Sequence, residues 1–178
     1  ETARILTSMI EAGVGPNDIP VYGTDGNMGN ALGESFAEAG GAEGALEGMK
    51  GTFPASELTA EFQDRLLEID PDLVDFNYAA ESYDAVIITA LAADIAGTDE
   101  PTAVAAEING VTEGGEPCTT YADCLELIEA GEDIDYDGAS GPLEFGEAGE
   151  PTEASFAIAT FGPDNTLVDP PDYAFATL

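Results

Sequence analysis

The chain has 178 residues, with 37 Asp and Glu against 3 Lys and Arg, no His, and a formal net charge of −34. That balance repels phosphate and leaves no basic patch, which excludes nucleic acid and anionic lipid as partners. Without His every His-based triad and zinc site is gone, and the one lysine, Lys50, lies in no phosphate-loop setting.

Residues 2–10 predict an amphipathic helix with Ile5, Leu6, Met9 and Ile10 on one face, closed by Gly13. It has neither the basic region nor the unbroken apolar run of a signal peptide. A helix that begins at once, with no cap ahead of it, reads as cut from something longer. Ile19–Gly23 predicts a short strand, 24–27 a loop, Met28–Ala39 a helix despite Gly29 and Gly33, and Leu46–Phe53 a second strand ending at Pro54. Ser56 or Thr59 caps a helix carrying Phe62, Leu66, Leu67 and Ile69. Tyr78–Ala96 predicts a long helix with Tyr83, Val86, Ile87, Ala90 and Leu91 as its core stripe. The apolar run Ala85–Ala93 within it, bracketed by Asp84 and Asp94, is too short to cross a bilayer. Pro101 opens a further helix that stops at Gly110, and Tyr121–Ala130 is the last. Pro142–Phe145 and Glu153–Phe161 predict a hairpin-like pair around residues 147–151. Helices alternating with short strands predict an α/β fold with a largely parallel sheet.

Apolar residues at 44% argue against disorder, and a chain of this length can bury a substantial core. With so few cations the carboxylates cannot form a salt-bridge network. They coat the surface and hold water and cations, the composition expected of a salt-adapted protein. Cys118 and Cys124 are not spaced as a redox Cys-x-x-Cys and, without His, make a poor zinc site. A local disulfide pinning a loop to the start of the last helix is the better reading, against two unpaired buried thiols. A disulfide would place the protein outside the cytoplasm.

Two stretches could carry chemistry. Tyr22, Thr24 and Asp25 stand at the carboxyl end of a strand that opens a helix, where open α/β sheets bind ligands. No phosphate fingerprint is present, and the Asp25 carboxylate would welcome an ammonium group; alternatively Asp25 or Asn27 is only a helix cap. Asp133, Asp135, Asp137 and Glu144, with Gly138, fit the calcium-loop pattern D-x-[DN]-x-[DN]-G-x5-E. There the context argues for a turn leading into a strand, because residues 142–145 do not read as an exiting helix. Tyr78, at the mouth of the long helix, lines a pocket or packs. No feature beyond abundant acids supports a carboxylate-dependent hydrolase, and nothing calls for a cofactor.

Pro20-Val21-Tyr22-Gly23-Thr24-Asp25-Gly26, Glu47–Phe53, Tyr78–Ala85, Asp137–Phe145 and Ala154–Ile158 follow one another in an order that resembles the carboxyl-terminal half of substrate-binding proteins of branched-chain amino-acid ABC transporters, the type I periplasmic binding proteins. The resemblance implies a three-layer, Rossmann-like α/β protein of two lobes that closes on a small ligand, present here in part. Residues 1–53 would belong to the second lobe, 54–149 to the first, and 150–178 to the return into the second. It implies a non-enzymatic, extracytoplasmic protein, periplasmic or cell-surface and lipid-anchored through a missing N-terminus. Such a protein hands an amino acid or related amine or amide to a membrane permease. Asp25 matches the family's acidic residue that pairs with the ligand ammonium and Tyr78 an aromatic position near the ligand side chain, with Tyr22 and Thr24 as weaker candidates. Open sheet edges would favour a homodimer of the fragment. The alternative of another class is an exported acidic calcium-binding or adhesive module built on Asp133–Glu144.

Overall fold

The computed structural model describes every residue except Val74, Asp169 and Leu178. Helices and strands alternate through it in mixed α/β order. The chain divides into two units: Glu1–Pro54 with Phe156–Ala174, and Ala55–Ser155 with the residues from Phe175 onward.

In the first unit, α1 (Thr2–Glu11) buries Ala3 and Leu6, and Gly13 in the left-handed region ends it. Ile5, expected on the buried face, is exposed. Strand β1 is Tyr22–Thr24, α2 is Asn30–Glu38 and β2 is Lys50–Pro54. The expected strand from Leu46 starts four residues late. Gly44 and Gly48 take left-handed φ values and fold residues 42–49 into turns, although Leu46 and Met49 are fully buried. Strand β5, Glu153–Thr160, runs antiparallel to β2, with Gly51 opposite Ala159 and Phe53 opposite Ala157. Among the described residues the sheet order is β1-β2-β5-β6, with β6 at Asp172–Thr177. β1 and β2 are parallel, so the sheet is mixed where a largely parallel one was expected.

Alternation along these strands sends Gly23, Gly51, Phe53, Ala157 and Ala159 into the core and leaves Tyr22, Thr24, Lys50 and Thr52 exposed. One face of this sheet is therefore open among the described residues, where a three-layer arrangement would cover it. Small residues are required inside: a Cβ on Gly51 would overlap the Gly23 carbonyl and the Met28 side chain. Gly33 in α2 serves a similar close approach, to the carbonyl of Asn165. Asn165 is buried, and its amide bridges two turns. Its Nδ2 donates to the Ala42 carbonyl at 2.9 Å, and its Oδ1 accepts from the Leu46 N–H at 2.9 Å.

The second unit holds α3 (Ala60–Ile69), α4 (Ala79–Ala96), α5 (Pro101–Glu107), β3 (Glu116–Cys118), α6 (Tyr121–Ala130) and β4 (Ile134–Tyr136). Thr59 and Thr120 cap α3 and α6, each accepting a backbone N–H at 3.2 Å. Pro101 starts α5, which ends at Glu107, and a 3-10 turn at Asn109–Thr112 replaces the expected run to Gly110. Of the residues expected to bury α3, Phe62 does so and meets Tyr83 edge-to-face at 5.4 Å, while Ile69 is 85% exposed. β3 and β4 pair in parallel. Ile88, Leu91, Val104, Val111, Ile134 and Tyr136 form the core around them.

One expectation holds in part and one fails. Of the expected α4 stripe, Leu91 is fully buried, Ile87 packs against the core and Tyr83 meets Phe62, but Val86 is 67% exposed and the buried line is Ala80, Asp84, Ile88, Leu91 and Ala92. The expected hairpin of residues 142–145 with β5 reduces to a bridge between Phe145 and Pro151, because the ladder partner of β5 is β2.

Candidate functional site

The carboxyl end of β1 is built by one glycine and one asparagine. A Cβ on Gly23 would overlap Asn27 Oδ1 and crowd Met28 and Met49, so only glycine lets the strand close on that core. The chain then turns through a 3-10 segment at Asp25–Asn27. The Thr24 N–H donates to Asn27 Oδ1 at 2.9 Å, the Met28 N–H donates to the Asp25 carbonyl at 2.9 Å, and buried Met28 pins the exit. Asn27 thus closes the turn, while the N-cap of α2 is Gly29. Neither Asp25 nor Asn27 caps that helix.

This turn brings Thr24 and Asp25 together at the carboxyl end of β1, while Tyr22 opens the strand at its other end. Tyr22 is 74% exposed on the open sheet face, Thr24 shares that face, and Asp25 is exposed at the head of the turn. Tyr78 belongs to the second unit. It is the N-cap of α4, 40% exposed, and a non-glycine residue with φ 61° and ψ 12°. Left-handed backbone at a bulky aromatic costs about 1–2 kcal/mol and marks a constrained position. Glu81, one turn into α4, has its carboxyl raised above the usual range, first by burial and also by the nearby Asp84 charge.

The calcium candidates are not arranged as a calcium loop. Asp135 lies in the middle of β4, between the buried side chains of Ile134 and Tyr136, and Asp133 and Asp137 flank the strand. Asp133 Oδ1 accepts the Ile134 N–H and Asp137 Oδ1 accepts the Leu143 N–H, so both carboxylates serve local backbone. Partial burial and the charges of Asp137, Glu144 and Asp133 raise the Asp135 carboxyl. Among the described residues no group of three or more carboxylates is placed to hold a metal ion. Residues 133, 135 and 137 alternate onto one face of an extended segment, but a strand cannot wrap their carboxylates around a cation as a twelve-residue loop does, and two of the three are held by local backbone.

Cys118 and Cys124 form a disulfide that ties the end of β3 to the first turn of α6. Nearby, on α4, sequence reasoning missed a larger feature. Asp84 is 2% exposed and accepts four hydrogen bonds: from the Tyr136 hydroxyl (2.8 Å), the Ala139 N–H (2.9 Å), the Ser140 N–H (2.7 Å) and the Ser140 hydroxyl (2.6 Å). Gly138 has no room for a Cβ against this carboxylate. The signal in the sequence is the spacing of Ala80, Asp84, Ile88 and Ala92, which puts one acid in an otherwise apolar stripe.

No family model and no solved structure matches the chain. Over 77 residues it is 35% identical to the chemotactic signal transduction system substrate-binding protein BasB of Halobacterium salinarum. That stretch is 42% of this chain and 19% of the length of BasB. The chain is therefore similar, over part of its length, to a substrate-binding protein.

Proposed function

We propose that the chain is part of an extracytoplasmic solute-binding protein that captures an amino acid, or a related amine or amide, and presents it to a membrane partner. The observation that carries the reading is the similarity to a named substrate-binding protein. The exposed Asp25 carboxylate, at the end of a parallel-paired strand, gives that reading a chemical site. Strand ends of this kind are where open α/β sheets place ligands. A carboxylate there selects an ammonium over an anion through a charge-assisted hydrogen bond. Thr24 beside it, and Tyr22 on the same face of the strand, would contact the rest of the ligand. The two units are read as parts of the family's two lobes. The membrane partner is an ABC permease or a signalling receptor, and in neither case does the protein itself catalyse a reaction. The disulfide suits an oxidising compartment.

Isothermal titration in concentrated KCl tests the reading. The ligands are leucine, isoleucine, valine, their amides, and isocaproate as the analogue of leucine without its ammonium. Asp25→Asn is expected to cost the amine-bearing ligands about 1.5–3 kcal/mol, because the ammonium loses a charged hydrogen-bond partner. Isocaproate should not distinguish wild type from variant. Equal affinity of both proteins for every amine removes Asp25 from the site.

A further inference from the structure

The hydrogen bonds of Asp84 continue beyond the loop that they hold. Ser140 gives both its N–H and its hydroxyl to Asp84 Oδ2, and its own carbonyl accepts the Ser56 hydroxyl. Ser56 is the second residue after the chain leaves the first unit at Pro54–Ala55, and the chain returns to that unit at Ser155–Phe156. These two passages are paired with each other. Pro54 lies opposite Phe156 at the end of the β2–β5 ladder, and one residue further the Ala55 N–H donates to the Ser155 carbonyl at 3.2 Å. The ladder thus runs past the end of β2, and the next residue, Ser56, is fastened through Ser140 to a carboxylate in the core.

A buried carboxylate is costly and is tolerated where several donors replace its water. An apolar residue in the α4 stripe would pack as well, so packing does not explain Asp84. Its four donors come from Tyr136 in β4 and from residues 139 and 140, the two central residues of a turn closed by the Gly138–Gly141 bridge. Helix α4 is the longest helix of the second unit and carries much of its core. A loop fixed to that helix is a rigid post for whatever is tied to the loop.

We propose that Asp84 is a positioning residue that anchors, through Ser140 and Ser56, the paired strands by which the chain passes between its two units. The inference concerns the backbone alone and holds whatever the ligand is.

Amide hydrogen exchange on the ligand-free protein in concentrated KCl tests it. Ser56→Ala, which removes only the last link, should raise the exchange rate of the Ala55 amide about tenfold or more by local opening. The Ser140 amide and the α4 amides of Ile88 and Leu91 should keep wild-type rates. Ser56→Thr, which restores a hydroxyl, should return Ala55 to the wild-type rate. Asp84→Asn should release Ala55 and Ser140 together, and the Ser56 variants decide the matter if Asp84→Asn does not fold. An unchanged Ala55 rate in Ser56→Ala overturns the anchor, as does a uniform rise that includes Ile88 and Leu91.

Discussion

The Tyr136 hydroxyl donates to Asp84 Oδ1 at 2.8 Å across 52 residues of sequence, in the core of the second unit. Tyr136 is wholly buried, so its phenol has no water to turn to, and Asp84 needs donors for the same reason. Burial first, then the hydrogen bond to Asp84 and the charge of that carboxylate, hold the Tyr136 phenol far above its ordinary range. The neutral phenol is the form that the fold favours.

Alkaline stability should therefore depend on Tyr136. An unfolded tyrosine ionises near pH 10 while the folded one stays protonated, so the contribution is complete below pH 10 and is lost as the pH rises above it. Tyr136→Phe should be less stable than wild type at pH 8 by about 1–3 kcal/mol, because Asp84 loses a donor. Between pH 10 and 11 its unfolding free energy should fall less steeply than that of wild type, by up to about 1.4 kcal/mol per pH unit. Urea unfolding at pH 8, 10 and 11 measures both effects. Parallel curves for the two proteins would show that the phenol titrates alike in the folded and unfolded states.

Gly138 should tolerate no side chain. A Cβ there overlaps both carboxylate oxygens of Asp84, a group held from four directions and unable to move aside. Gly138→Ala should destabilise the protein by about 2 kcal/mol or more, as expected for overpacking against a fixed group. Gly26, with open space around its Cβ position and no left-handed φ, supplies the control. Gly26→Ala should lie within about 0.5 kcal/mol of wild type. Chemical denaturation of the two variants side by side separates a steric demand at 138 from a general intolerance of alanine.

Local signals made some elements legible in the sequence. Helix α6 runs from Tyr121 to Ala130 as expected, because Thr120 before it and the left-handed Gly131 after it are both local devices. Thr24 and Asp25 meet at one turn because they are neighbours in sequence, and Tyr22 shares the exposed face of β1 with Thr24 because it stands two residues before it. The rotation of α4 was legible only in part. Its residues 85–93 are apolar nearly all round, so periodicity finds Leu91 and Ile87 but does not separate buried Ile88 from exposed Val86. The choice is made by donors at residues 136–140, which tertiary structure brings to Asp84. The late start of β2 has a different cause. Residues 46–53 are apolar enough for a strand, but Gly44 and Gly48 take φ values that a strand cannot use. The antiparallel partner of β2 arrives from residues 153–160, a long-range pairing that no local pattern specifies.

The disulfide should contribute stability in proportion to its short loop. Cys118 and Cys124 are six residues apart, and chain-entropy arithmetic gives about 2 kcal/mol for closing so small a loop. Both cysteines are buried, so a reductant should act slowly on the folded protein and quickly once it is unfolded. The urea midpoint should fall in dithiothreitol, and Cys118→Ser/Cys124→Ser should reproduce the fall and make the protein insensitive to reductant. A thiol assay on unreduced, denatured protein should detect no free thiol.

Salt should be the strongest external control on stability. The formal net charge is −34, and the three cations do little to offset it: Arg65 sits over the Tyr83 ring at 5.5 Å, Arg4 lines the exposed side of α1, and Lys50 lies on the open sheet face. Most of the carboxylates are exposed, so the repulsion acts across the surface, where mobile ions screen it. At about 0.1 M salt the Debye length is about 10 Å, and at about 1 M it is about 3 Å, short enough to uncouple neighbouring carboxylates. The melting temperature should therefore rise steeply with KCl up to about 1 M. Beyond that point a further rise would come from the general strengthening of apolar burial by excluded solutes. Sucrose at matched osmolality separates the two effects, since it is excluded from the surface but screens nothing. A melting temperature that rises equally in sucrose and KCl, or stays flat in KCl, would mean that self-repulsion does not limit the stability of this fold.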